Sequence, residues 1–272
     1  VTAALIERFY ENIERNHNVQ FATTGLIHLI SQTDDEDLLE AISELEPIKF
    51  HPKIKVILAK HPCTPNKVIK RFLKEGEEEV CQTIYANPSL DHKLAKTLLD
   101  DPQTATIIAH HIKLSQELFE ELHRYSIALA ANETLTLSMQ KELLDRKEKN
   151  IDRQLVQNRA VKAEILEVLY ARDTQFHSFI FANSATPVSI LQEGFKDKIN
   201  HVALASNRNT PKEILIKLYE LQDADVLTQL AQNENTPVDL LYQMQLESRY
   251  ERYVRTNEAF GKHIQTQNIG WL

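Results

Sequence analysis

Histidines are the residues of this chain that could most readily bind a metal ion. There are eleven of them, and neutral imidazole is a common ligand of zinc and other transition metals. His110 and His111 are adjacent, so their side chains diverge on a helix, and neither has an acidic or cysteine partner at ligand spacing. His177 and His201 are 24 residues apart, and neighbouring packed helices would hold them about 8 to 10 Å apart. The pattern predicts no metal site.

Acidic runs and sequence motifs likewise give no catalytic site. The runs DDED at 34–37 and EGEEE at 75–79 could bind a metal or a basic partner, but their positions fit a helix start and a solvated inter-helix connection. The chain has no Walker loop, dinucleotide fingerprint, nucleophile elbow or His-Glu-x-x-His helix. We therefore expect no enzymatic activity, no catalytic residue and no cofactor.

A repeated segment would position side chains at regular intervals. SNRNTPKEIL at 206–215 is followed by QNENTPVDLL at 232–241, and a motif that builds structure recurs whereas a ligand motif is usually needed once. We call the first Asn of this motif the anchor. Steps of 21 to 26 residues separate the anchor positions, which are His61, Asn87, His111, Asn132, Asn158, Asn183, Asn207, Asn233 and Asn257.

Apolar residues recur at fixed distances on both sides of the anchor. Seven residues after it every copy is apolar, and eleven residues after it most copies are, which describes one face of a helix. Two residues before it, small side chains such as Ala59 and Ala205 would allow close packing. Three residues before it stand only aliphatic residues, namely Leu58, Ile84, Ile108, Leu129, Leu155, Ile180, Leu204, Leu230 and Val254. Each copy therefore predicts two short helices joined at the anchor.

The anchor side chain is predicted to hold the loop between the two helices. A short amide both donates and accepts hydrogen bonds, so it can satisfy backbone groups in a tight loop and could link one copy to the next. His61 and His111 could make the same bonds through an imidazole nitrogen. The asparagines to which we assign this structural role are Asn87, Asn132, Asn158, Asn183, Asn207, Asn233 and Asn257.

The second helix of each copy carries its own start signal. Four copies have a Thr-Pro pair, as in Thr210-Pro211, where Thr is suited to cap the helix and Pro to its first turn. Other copies carry Asp91, Ser115 or Thr136 as candidate caps. The same joint is thus predicted to form with different residues.

Composition limits the class of protein and of partner. Only five residues are glycine and 42% are hydrophobic, which favours a folded helical protein. The net charge of −8 argues against nucleic acid and against an anionic membrane as partner, and no apolar run approaches the roughly 18 residues that span a bilayer. Cys63 and Cys81 are the only cysteines, which suits a reducing compartment and predicts a cytoplasmic protein.

A unit of about 24 residues cannot bury its apolar face alone, so neighbouring units must stack into a solenoid. In LASNRNTPKEIL, LAQNENTPVDLL and LAKHPCTPNKVI the chain resembles the leucine-rich repeat variant family, a bacterial-type family of helical repeats related to HEAT and armadillo arrays. The resemblance implies an all-α, right-handed solenoid of about nine two-helix repeats (α/3-10 or α/α) over residues 51–272. Members can carry a cysteine-ligated iron–sulfur module before the repeats, but Cys63 and Cys81 lie inside the array and cannot supply four ligands.

The two ends of the chain differ from the repeats between them. Residues 1–50 have helical patterns without the anchor motif, and we expect a helical cap that covers the first repeat. The last copy has Arg255, Gly261 and Asn268 where other copies have apolar residues or Pro, as expected of a weakened terminal repeat.

The expected function is that of a non-enzymatic scaffold which binds a macromolecule, most simply a protein, along its repeat surface. The alternative is a HEAT-like DNA-binding protein or an alkylpurine DNA glycosylase-like enzyme, which would need a basic groove with a carboxylate and aromatic residues. Against this, the chain is acidic and its single Trp is Trp271. Our candidate partner-binding residues occupy variable columns one, four or five places before the anchor and are Lys60, Arg153, Gln157, Gln229, Gln232 and Arg252.

Overall fold

The computed structural model describes residues 2–16, 19–46 and 51–266, so Asn268 and Trp271 lie outside the described residues. Within these ranges the chain forms α-helices, short 3-10 turns and loops, with no strand, which confirms the prediction of an all-α protein. The α-helices are α1 (Thr2–Asn16), α2 (Val19–Gln32), α3 (Glu36–Glu44), α4 (Pro52–Lys60), α5 (Asn66–Glu75), α6 (Glu78–Tyr85), α7 (His92–Lys96), α8 (Pro102–His111), α9 (Gln116–Glu121), α10 (Ser126–Ala130), α11 (Leu137–Asp145), α12 (Lys149–Gln157), α13 (Ala163–Arg172), α14 (His177–Ala182), α15 (Val188–Gly194), α16 (His201–Ser206), α17 (Lys212–Glu220), α18 (Ala224–Gln232), α19 (Val238–Gln245), α20 (Ser248–Arg255) and α21 (Glu258–Thr266).

The chain divides into two compact units, residues 1–134 (unit 1) and residues 135–272 (unit 2). Even-numbered helices from α4 to α20 run up to an anchor, and we call them first helices; odd-numbered helices from α5 to α21 follow an anchor, and we call them second helices. In unit 1 the helices α2 and α3 pack against α4, and the first helices α4, α6, α8 and α10 pack in series. In unit 2 the first helices α12, α14, α16, α18 and α20 also pack in series.

The core of both units consists of the apolar columns beside the anchors. All nine aliphatic residues three places before the anchor, from Leu58 to Val254, have no exposed surface. Seven places after the anchor eight of the nine residues are buried, and the exception is Leu240, which is half-buried while its neighbour Leu241 has no exposed surface. The periodicity therefore identified the buried face of each helix. In the second helix α19 the buried position is one residue later than predicted.

Seven of the nine second helices begin with one of two kinds of cap, and only one kind was predicted. Asp91, Ser115 and Thr136 each accept a hydrogen bond from the backbone N–H three residues later, at 2.9, 3.2 and 3.3 Å, as expected. In the Thr-Pro copies Pro itself is the cap residue, as at Pro211, and no side chain caps the helix.

The Thr of the Thr-Pro pair bonds backwards instead of forwards. The Thr210 hydroxyl donates to the backbone carbonyl of Leu204 at 2.7 Å, and Thr236 bonds to Leu230 in the same way at 2.7 Å. Carbonyls in the last turn of a helix have no partner within the helix. The expectation that Thr caps the second helix was therefore wrong, because the hydroxyl satisfies the end of the first helix.

Four anchor asparagines of unit 2 reach back towards the preceding copy, namely Asn183, Asn207, Asn233 and Asn257. The side-chain amide of Asn207 donates to the carbonyls of Phe181 and Asn183 at 2.8 and 2.7 Å, and its Oδ1 accepts the N–H two residues later at 2.8 Å. Asn233 and Asn257 donate in the same way to the preceding anchor and to the residue two places before that anchor. These buried side chains connect one first helix to the next through carbonyls that the helix leaves unpaired.

The unit 1 joints follow the same plan with substitutions. Asn87 donates to the carbonyls of Ala59 and His61 at 2.9 and 3.4 Å. His61 stands at an anchor, and its ring Nδ1 accepts the N–H of Cys63 at 3.2 Å, which is the bond that Oδ1 of Asn accepts elsewhere. The imidazole thus reproduces one part of the asparagine pattern.

His111 is not at an anchor. Asn132 donates to the carbonyls of Ala109 and Ile112 at 2.8 and 2.9 Å, so the second carbonyl belongs to the residue after His111. Ile112 is the C-cap residue of α8, and its side chain is buried, whereas His111 is exposed. One additional residue in this copy moves the histidine out of the joint, which the column alignment did not detect.

A paired size change keeps the core of unit 2 filled. The place two before the anchor is usually small but holds Phe181 in α14, and the place eleven after it is usually large but holds Gly194 in α15. A Cβ atom on Gly194 would lie 2.4 Å from the Phe181 ring, which has almost no exposed surface. Here the aromatic ring occupies the space that the second-helix residue fills in other copies.

Buried charges are paired within each unit. Lys55 in α4 is buried and contacts Glu75, at 2.7 Å, and Glu77. Burial alone would lower the pKa of this ammonium group, but the hydrogen bonds and charges of the two carboxylates outweigh burial and raise the pKa. Part of the acidic run at 75–79 is therefore a counter-charge for a core residue, which the sequence did not reveal.

Removing Arg172 is expected to destabilise unit 2. Its guanidinium bonds both carboxylate oxygens of buried Asp152, at 3.1 and 2.9 Å, and the carbonyl of Leu144 at 3.2 Å. Arg172→Met leaves a buried carboxylate unpaired, so we expect the free energy of unfolding to fall by about 3 kcal/mol in urea denaturation. The double variant Asp152→Leu with Arg172→Met removes both charges and should recover most of this loss. A double variant as unstable as the single one would contradict the explanation.

Candidate partner-binding surface

The first helices carry the residues that the sequence analysis selected for partner binding. Lys60, Arg153, Gln157, Gln232 and Arg252 are exposed, and only Gln229 is half-buried. Gln232 donates to the carbonyl of Thr228, one turn earlier in α18, at 3.1 Å. These positions are therefore accessible, and Gln229 is the least available for a partner.

The structure groups some of these residues with neighbours and leaves others apart. Gln157 lines a groove in unit 2, and Lys60 lines an open depression in unit 1. Arg153 and Arg252 lie outside the grooves described here, and they stand 99 positions apart on α12 and α20. The six candidates therefore do not form one cluster.

We call the unit 2 groove the arginine groove. Its volume is about 560 Å³, and it opens over the ends of α12, α14 and α16. The residues that line it are Val156, Gln157, Arg159, Phe179, Ala182, Asn183, Ser184, Ser206 and Arg208. Two of these residues are cationic and none is acidic, although the whole chain has a net charge of −8.

The floor of the arginine groove is built by the joint between copies. Asn183 is buried, and its side-chain amide donates to the carbonyls of Val156 and Asn158 at 2.8 and 3.1 Å. Half-buried Phe179 and exposed Ala182 present apolar surface from α14. Because the carbonyls at the floor already have a donor, the charged groups available to a ligand are the guanidinium groups at the sides.

Arg159 and Arg208 were not among the predicted partner-binding residues. Both directly follow an anchor, Asn158 or Asn207, whereas our selection was confined to columns before the anchor. The recurrence of Arg one place after two anchors was the signal that could have identified them. No carboxylate of the described residues lies within ion-pair distance of Arg159, and Arg208 bonds Glu234 through Nη2 at 3.0 Å.

A second groove continues from Arg208 towards the next copy. Its volume is about 480 Å³, and Arg208, Glu234, exposed Asn209 and half-buried Asn235 contribute to it. Asn235 donates to the carbonyl of Thr210 at 2.9 Å, so its amide is already committed to the scaffold. This groove contains one cationic and one anionic side chain, so it favours neither an acidic nor a basic ligand.

The unit 1 depression around Lys60 has a different character. Its volume is about 710 Å³, and its lining includes Glu78, Glu79, Gln82 and Thr83 from α6. The two glutamates oppose the charge of Lys60, so an acidic ligand is disfavoured here. The units also differ in total charge, since residues 1–134 contain 14 basic and 21 acidic residues and residues 135–272 contain 17 and 18.

Two of the histidines considered as metal ligands have backbone and aromatic partners, whereas the rings of His110 and His111 do not diverge as expected, since their centroids lie 4.3 Å apart. His177 and His201 each bond a backbone carbonyl through Nε2 at 3.0 Å, that of Tyr170 or Phe195, and each ring stacks on the same aromatic residue. Throughout residues 2–16, 19–46 and 51–266, no group of three or more His, Cys, Asp or Glu side chains could hold a metal ion. Cys63 and Cys81 are both free thiols.

None of the helices described is both long and apolar enough to cross a membrane. A scan against protein-family models, a search of curated proteins and a search of solved structures each gave no match.

Proposed function

We propose that the chain is a non-enzymatic, right-handed α-solenoid of about nine repeats, capped by residues 1–50, that binds a protein partner along its first helices. The support is the repeated joint: buried asparagines such as Asn207 and Asn233 donate to carbonyls of the preceding copy. A set of joints of this kind holds the first helices at regular spacing and leaves their variable side chains in water. The resemblance to leucine-rich repeat variant proteins is consistent with this architecture and implies no reaction.

The partner surface we propose is made by exposed residues of the first helices and of the loops after them. Arg153, Gln157 and Arg252 are accessible on α12 and α20, and none of them takes part in a described ion pair. Such residues can change without affecting the core, because the columns three places before the anchors carry the packing. A solenoid separates scaffold positions from recognition positions in this way.

The first test is a binding measurement with the partner captured by the full chain from its native organism and then purified. Arg153→Ala with Arg252→Ala should weaken the affinity about tenfold or more, because two charged contacts are lost, while the helical circular dichroism stays unchanged. Lys212→Ala with Lys262→Ala is the matched control, since it removes the same charge from exposed positions on the second helices α17 and α21.

Three results would overturn the proposal. An equal loss of affinity in the control and in the first-helix variant would mean that binding depends on the net charge of the chain and not on the first helices. Undiminished binding after removal of residues 135–272 would place the function in unit 1 alone. Base-excising activity on alkylated DNA by the purified chain would replace the scaffold by the alternative, a DNA glycosylase-like enzyme.

A further inference from the structure

The arginine groove is positively charged, although the whole chain has a net charge of −8. Two guanidinium groups, those of Arg159 and Arg208, line it without a carboxylate among its lining residues. Arg159 has no ion-pair partner among the described residues. Arg208 uses one nitrogen, Nη2, for Glu234 and keeps 67% of its side chain exposed. Since a guanidinium carries five donors in a planar fork, Arg208 can retain Glu234 and still bind an incoming carboxylate.

The surface between the two arginines is uncharged and combines apolar side chains with the hydroxyl groups of Ser184 and Ser206. Phe179 and Ala182 of α14 lie between the loop of Arg159 and the loop of Arg208, and the adjacent amide of Asn183 is committed to two backbone carbonyls. Burying an unpaired polar group against this surface would cost free energy, whereas an apolar side chain would gain from contact with the Phe179 ring. The groove therefore has a cation on each side of an uncharged surface, and Phe179 and Ala182 are the apolar part of that surface.

The spacing of the helices sets the length of a matching ligand. Arg159 and Arg208 follow α12 and α16, with α14 between them, and these three helices pack in series. Two steps of about 8 to 10 Å separate such helices, and an extended chain advances about 3.3 Å per residue. A ligand with two carboxylates about five residues apart could reach both arginines and still place an apolar side chain over Phe179.

We propose that the arginine groove binds an extended acidic segment of the protein partner, with one carboxylate at Arg159, another at Arg208 and an apolar side chain over Phe179. The proposal rests on the proposed scaffold function and names the chemistry of its partner. Protein is favoured over nucleic acid because the groove has only two cationic residues, unit 2 has slightly more acidic than basic residues, and phosphate backbones are bound by larger sets of Lys and Arg.

The experiment begins with a display library of random twelve-residue peptides selected on the full chain. Peptides that bind should be enriched in Asp and Glu on both sides of an apolar residue. Fluorescence anisotropy with a labelled selected peptide should give an affinity that weakens about tenfold or more in Arg159→Gln with Arg208→Gln, because two charged contacts are lost. Phe179→Ala should weaken binding without changing its dependence on salt, since it removes apolar contact only.

The matched control is Lys212→Gln with Lys262→Gln, which removes the same charge from unit 2 outside the groove and should leave the peptide affinity unchanged. Selection of basic or uncharged peptides, or of no peptide, overturns the proposal. If selected peptides ignore the groove variant but lose affinity in Arg153→Ala with Arg252→Ala, the acidic-segment proposal fails and the scaffold function stands. A labelled twenty-residue oligothymidylate that binds through Arg159 and Arg208 would show that the groove serves nucleic acid and would overturn both.

Discussion

Asn207→Asp is expected to lower the free energy of unfolding by about 3 kcal/mol, although the substitution hardly changes the shape of the side chain. The Asn207 amide nitrogen donates to the carbonyls of Phe181 and Asn183, and the side chain is only 2% exposed. An aspartate oxygen in that position is an acceptor facing two acceptors. Urea denaturation of the full chain, followed by circular dichroism, measures the change.

Gln232→Glu is the control for this prediction. It makes the same change from amide to acid on an exposed residue, so its free energy of unfolding should stay within about 0.5 kcal/mol of the unmodified protein. Asn207→Ala and Asn233→Ala should fall between the two, with losses of about 1 to 3 kcal/mol, because they remove the donor without adding an opposing acceptor. Equal unfolding midpoints for Asn207→Asp and Gln232→Glu would show that the anchor bonds do not stabilise the fold.

Exchanging the sizes of residues 181 and 194 is expected to produce two unstable single variants and a much more stable double variant. Phe181→Ala leaves a cavity in a fully packed core and should cost about 4 kcal/mol. Gly194→Leu drives a side chain into the Phe181 ring, which a Cβ atom alone would approach to 2.4 Å, and should cost about 3 kcal/mol. Together they restore the small and large residues found at these places in most other copies.

A double-mutant cycle measures the coupling between these two positions. The double variant should lie within about 2 kcal/mol of the unmodified protein, far from the sum of the single losses, because the leucine fills the space that the ring vacates. The control is the same pair of changes at unconnected places, Phe181→Ala with Gly261→Leu, where no atom lies near the glycine and the losses should add. Additive losses in the Phe181–Gly194 pair would contradict the packing argument.

Sequence periodicity predicted the helices and the core because each copy repeats the same burial. Nine aliphatic residues at one column position are all without exposed surface, and a pattern read nine times averages out local exceptions. Features in which a single copy differs from this repeated pattern were harder to predict from the sequence. The register at His111 failed because α8 holds one residue more than the pattern, so that Ile112 is its C-cap. The partners of Lys55 are Glu75, on the second helix of the same copy, and Glu77, in the loop before α6, and the sequence does not show which carboxylates the Lys55 side chain reaches.

The direction of side-chain hydrogen bonds was harder to predict than the identity of the residues that make them. Thr210 has the residue type and position of a helix cap, yet its hydroxyl donates to Leu204 in the preceding helix. A sequence gives the types of donors and acceptors, but the choice among carbonyls depends on which of them the fold leaves unpaired. The sequence does show that Arg159 and Arg208 each follow an anchor, but only the packing of three first helices shows that both line one groove.

The anchor bonds make the joints at Asn183, Asn207, Asn233 and Asn257 chemically interchangeable. Asn207 contacts the carbonyls of Phe181 and Asn183, and Asn233 contacts the equivalent carbonyls one copy later. Excising residues 207–232 would therefore bring Asn233 to the carbonyls that Asn207 leaves, with the same donor, the same acceptors and no new kind of contact. A gene encoding such a chain can lose or duplicate one copy in a single recombination event. The encoded protein would still give each of these anchor asparagines two carbonyls to bond. The number of copies, and with it the length of the surface that we propose binds a partner, can thus change without a redesign of the core.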